Sequence, residues 1–74
     1  MATDAIVMDV ESIGSIAGHI WQYLSLNGPV TVAKLTRELG APRDLTMQGI
    51  GWLAREGKVQ FQDSSRSRLI QLSG

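Results

Sequence analysis

Apolar residues recur at three- and four-residue spacing in three successive segments, and after Gly57 the period drops to two. The second and third helical segments are separated only by the tight link Ala41-Pro42-Arg43. Together these observations predict a mainly α domain with a small β-hairpin, in the order of a winged helix-turn-helix: three helices, then a wing.

The first segment, residues 1–11, holds Asp4, Asp9 and Glu11 among Ile6, Val7, Met8 and Val10. Ile6 to Val10 is open to two readings, a short strand or a helical lead-in, because so few residues establish no period. It is taken as an N-terminal lead-in, frayed or flexible, ahead of a domain over residues 12–74. Ile13, Ile16, Ala17, Ile20, Trp21 and Leu24 then form one helical stripe. A first helix is expected from Ser12, as N-cap, to Leu26, with Asn27-Gly28-Pro29 as its stop. Trp21 is expected in the core and Tyr23 on the surface. Val30 falls in a short extended link, and Thr31 caps a second helix. Val32, Leu35 and Leu39 face inward there, and Lys34, Thr36, Arg37 and Glu38 face outward. Gly40 suits the left-handed position after the helix. Asp44 is the expected cap of a third helix running to about Glu56, which Gly57 ends in the same way. Val59 and Phe61 alternate with Lys58, Gln60 and Gln62 as a half-buried strand. Asp63-Ser64-Ser65-Arg66 reads as a turn, and Arg68 to Leu72 as the returning strand.

Composition narrows the function classes. Hydrophobic residues make up 43% and charged residues 19% of 74 residues, the balance of one ordinary globule. A chain of this size buries only about 60% of the surface its unfolded form exposes, so its core is economical. There is no cysteine, which removes disulfide scaffolds, thiolate metal clusters and cysteine nucleophiles. No apolar run approaches the roughly 18 residues of a membrane span, and the acidic start lacks the base of a secretory signal. A cytoplasmic location with no membrane partner is expected. His19 stands alone at the border of the first stripe and has no zinc-ligand partners. Neither a nucleophile elbow nor a phosphate-cradling glycine loop is present, so no enzyme activity, cofactor, metal or small-molecule substrate is expected.

The net charge is zero, but unevenly so. All seven bases lie in residues 34–68 beside four acids, a net of +3, while the other three acids precede the first helix. That segment permits phosphate contact without compelling it.

The blocks Ala17-Gly18-His19-Ile20-Trp21-Gln22-Tyr23-Leu24, Asn27-Gly28 and Ile50-Gly51-Trp52-Leu53-Ala54-Arg55-Glu56-Gly57-Lys58-Val59 resemble an uncharacterised family of small bacterial and archaeal proteins. This is a winged helix-turn-helix domain of unknown function, and the resemblance spans about residues 13–62. It implies the winged-helix fold and, by analogy of fold, nucleic-acid binding. No ligand, catalytic residue or partner comes with it.

In a helix-turn-helix the third helix normally lies in the major groove. With Leu45, Gly49, Ile50 and Leu53 inward, its outward surface is Met47, Gln48, Gly51, Trp52 and Arg55, bordered by Thr46 and Ala54. Gln48 and Arg55 are the types that bond bidentately to adenine and guanine. Arg43 and Thr46 are placed to meet phosphates at the helix start. Lys58, Arg66 and Arg68 supply a basic wing, the clearer electrostatic signal, suited to phosphates or a minor groove. Double-stranded DNA is therefore the first expected partner, with a regulator's role. The alternative is a protein partner or homodimer using Met47, Gly51 and Trp52. Glycines inside a helix cost about 0.5–1 kcal/mol each, so Gly49 and Gly51 call for close approach of a backbone or ring. The default for Trp52 is a core ring folded onto helix two or the hairpin, and its exposure decides between the two readings.

Overall fold

The computed structural model describes residues 10–63 and 67–73. The order is α1 (Val10–Asn27), β1 (Val30–Thr31), α2 (Val32–Leu39), α3 (Arg43–Arg55), β2 (Val59–Asp63) and β3 (Arg68–Leu72). The readings of residues 1–9, and of the turn at 64–66, lie outside the described residues.

The helices form where the apolar stripes place them. Ile16, Ala17, Ile20 and Leu24 of α1 turn inward together with Leu35 of α2 and Leu45, Ile50 and Leu53 of α3. Val30, Val59 and Ile70 close this core from the sheet side. Ile20, Leu35 and Ile70 are fully buried, and each contributes about 1.5–3 kcal/mol relative to exposure. Helix α1 packs chiefly on α3.

Both predicted left-handed helix ends are present. The Thr31 hydroxyl accepts from the Lys34 N–H at 3.1 Å, and α2 ends at Gly40 with φ 68°. Gly57 has φ 73°, donates to the Ala54 carbonyl at 3.0 Å, and is followed by Lys58 N–H donating to Leu53 at 2.9 Å. That pair of bonds is a Schellman ending.

Other expectations are corrected. Helix α1 starts at Val10, so Val10 and Glu11 belong to it and Ser12 is no cap. Helix α3 starts at Arg43 behind Pro42, and no side chain caps it, Asp44 included. Pro42 occupies the cap position in extended conformation, and its carbonyl accepts the first bond of the helix, from the Thr46 N–H at 3.0 Å. Val30 is more than a link. It pairs with Ile70, and Thr31 with Leu69, so β1 joins the hairpin in a three-stranded antiparallel sheet of order β1-β3-β2. The aromatic residues of α1 exchange places: Trp21 is 46% exposed, whereas Tyr23 is half-buried against the core.

Within the hairpin the register runs from Val59↔Leu72 to Asp63↔Arg68. Val59 is buried and Phe61, on the same face opposite Ile70, is 45% exposed. The helices cover only the base of the wing, so the half-buried pattern expected of this strand stops at Val59.

Candidate nucleic-acid interface

Helix α3 spans 13 residues, a rod about 20 Å long. Its buried arc is Leu45, Thr46, Gly49, Ile50 and Leu53. Thr46 is wholly inside, at 0% exposure, and its hydroxyl donates to the Pro42 carbonyl at 3.1 Å. The expectation that Thr46 meets phosphate is therefore overturned. Its place at i−4 and i−7 from Ile50 and Leu53 already put it on the inner stripe.

The remaining α3 candidates are exposed as expected: Arg43 and Arg55 at the two ends, with Met47, Gln48, Gly51 and Trp52 between. Among the described residues, neither Arg43 nor Arg55 has an ion-pair partner. Two guanidinium groups thus stand open to an anion about 18 Å apart along the helix axis.

The wing is electrically quieter than its composition implied. Arg68 Nε lies 2.8 Å from Asp63 Oδ1, and Lys58 Nζ lies 3.6 Å from Glu56 Oε1, all four side chains solvated. Each pair cancels locally. Exposed pairs are worth about 0–1 kcal/mol, so a phosphate can displace either carboxylate at little cost. Arg66 lies outside the described residues. The unpaired positive charge of the described interface sits on α3, to which exposed Lys34 and Arg37 of α2 add. Helical period alone places both outward, and a helix-turn-helix lays its first helix across the DNA backbone.

The surface grouped as Met47, Gly51 and Trp52 comes apart. Five residues of helix set Met47 and Trp52 roughly 140° apart, on opposite flanks of the outward arc. Trp52 is 36% exposed and so is not the core ring expected. It lines a groove of about 550 Å³ with Gly14, Ala17, Gly18 and Trp21 of α1, rimmed by Glu56 and Lys58. The two interior glycines of α3 also differ. A Cβ on Gly49 would lie 2.6 Å from Ile16 Cγ2 and 3.3 Å from the Ala17 backbone nitrogen, whereas one on Gly51 meets nothing within 4 Å. Close approach explains the first glycine and not the second.

A tight pair of helices, the second presenting a solvent-facing arc, and a hairpin beside it define a winged helix-turn-helix protein. This architecture commonly binds DNA. The chain belongs to the family described as a winged helix-turn-helix domain, DUF2582, whose match runs over residues 8–72. A solved structure concerned with the DNA recognition and protein interaction domains of HOP2, and its homologous DNA pairing properties, is similar in fold. The TM-score is 0.62 at 22% identity, covering 78% of this chain and 98% of that one. At that identity the likeness speaks to the fold alone. No curated protein matches this chain at a significant level. Among the described residues, no helix is long and apolar enough to cross a membrane.

Proposed function

We propose that this chain is a non-enzymatic, cytoplasmic DNA-binding protein that lays α3 in the major groove of duplex DNA and acts as a transcriptional regulator. The observation that carries the reading is the unpaired exposure of Arg43 and Arg55 at the two ends of α3. Arg43 meets phosphate where the helix dipole also favours anions. Arg55 and the exposed Gln48 face base edges, for which guanidinium and amide groups are the matching donors. The wing adds phosphate contacts through Lys58, Arg66 and Arg68 once Glu56 and Asp63 are displaced. HOP2, described by its DNA recognition, supports the reading by analogy of fold.

Titration of mixed-sequence duplex DNA at rising salt tests it. Affinity falls linearly with log salt concentration, and Arg43→Ala lowers that slope by about 1, as loss of one phosphate contact requires. Arg55→Ala weakens binding about tenfold, and Thr46→Val leaves it unchanged because Thr46 never reaches the surface. Absence of binding at low salt, or binding indifferent to both arginines, refutes the proposal.

A further inference from the structure

The groove between α1 and the C-terminal half of α3 is left over from the DNA reading and does not depend on it. Its floor is Gly14, Ala17 and Gly18, and its walls are the exposed rings of Trp21 and Trp52. Two features of α1 lack a cause inside the described monomer. A Cβ on Gly14 or Gly18 meets nothing within 4 Å, so packing does not require glycine there, although each costs a mid-helix position about 0.5–1 kcal/mol. Beside them stands a tryptophan ring 46% exposed.

We propose that a second copy of this chain occupies the groove, in a two-fold dimer built on antiparallel α1 helices. The spacing of the stripe selects this occupant. With the axis crossing α1 between Ala17 and Gly18, Trp21 of each copy falls opposite Gly14 of the other, and Ala17 opposite Gly18. The largest protrusion of the face meets its side-chain-free site, twice, by symmetry. That self-complementarity is the signature of an isologous interface.

Charge agrees with this arrangement. Along α1 the strip Val10, Gly14, Ala17, Gly18, Trp21 and Ser25 carries no charged residue, and the two charges on the groove's rim, Glu56 and Lys58, pair with each other at 3.6 Å. The positions nearest the axis are Ala17 and Gly18, each facing the other across it, so no like charges are opposed there. Area also agrees. From Val10 to Ser25 the strip runs about 23 Å, and with the edge of α3 alongside it is roughly 20 Å wide. Burying that face in both copies removes about 1,000 Å² from water, the lower bound for a specific interface. Arg43, Met47 and Arg55 are outside the groove lining.

Sedimentation of the full chain from micromolar to millimolar concentration tests the proposal, with Gly14→Leu and Trp21→Ala beside it. The expected result is a concentration-dependent dimer, weakened by about tenfold or more in each variant. Circular dichroism of Gly14→Leu remains that of the parent, because the added side chain enters open space. In a mixed-label sample, an intermolecular Overhauser contact joins the Trp21 ring to Gly14. A chain monomeric throughout overturns the inference. So does a dimer indifferent to Gly14→Leu, which would use another surface. A monomer whose Trp21 is nonetheless shielded from a soluble quencher would assign the groove to an intramolecular occupant, and overturns it equally.

Discussion

The seam between α1 and α3 has a closed half and an open half. In the closed half, Gly49 of α3 lies against Ile16, Ala17 and Ile20, with no room for even one more carbon. In the open half, Gly14 and Gly18 of α1 face empty space between two exposed indole rings. The same residue type thus has two physical meanings along one seam. Gly49 sets the distance between two helices of this chain. Gly14 and Gly18 keep a surface low, and that surface is of use only to something that comes to it.

Substitutions break or sharpen this contrast in order of size. Gly49→Val adds three carbons where one already clashes, a branched-side and backbone obstruction that rotation of a flexible tip cannot relieve. We expect a loss of about 3 kcal/mol and a thermal midpoint lower by roughly 15 °C, measured by calorimetry. An unchanged midpoint would mean that the helices are not in contact there. Next, Gly14→Ala and Gly51→Ala, both in open space, should each stabilise the dilute chain by about 0.5–1 kcal/mol through helix propensity alone. Destabilisation of Gly14→Ala under dilute conditions would show that the open half is closed after all. Least of all, Asp63→Ala at the wing should shift urea midpoints by less than about 0.5 kcal/mol, since its pair with Arg68 is solvated. The same variant should tighten duplex binding slightly by freeing Arg68.

Much of the fold was legible because it is written in local terms. The α2 cap at Thr31, the left-handed ends at Gly40 and Gly57 and the stripes of three helices depend on residues no more than a few positions apart. Thr46 shares the stripe of Ile50 and Leu53, and its hydroxyl is satisfied inside by the Pro42 carbonyl, a local bond that lets a polar residue take an inward position. What escaped was non-local. Nothing in Val30 and Thr31 announces that β3 lies beside them, because two residues show no period. Trp21 and Tyr23 flank the same inward arc, and only the tertiary packing decides that Tyr23 is half-buried against the core and Trp21 is not. Phe61 obeys its alternation and is still exposed, because the alternation states which face a residue takes and not how far the core extends.

The candidate site divides in the same way. Arg43, Gln48 and Arg55 were readable as outward residues from helical period alone. The balance of charge between wing and helix was not, since the partners of Arg68 and Lys58 are set by hairpin register and by the turn after α3. By itself the sequence determined the three helices and the hairpin, the glycine ends of α2 and α3, the main inward stripes and hence the winged-helix order. Only the tertiary structure decided where α1 and α3 touch, where they part to leave a groove, and which cations are already neutralised. The physical reason is that propensity, capping and periodicity act within a few residues, whereas exposure and ion pairing depend on which distant segment arrives opposite.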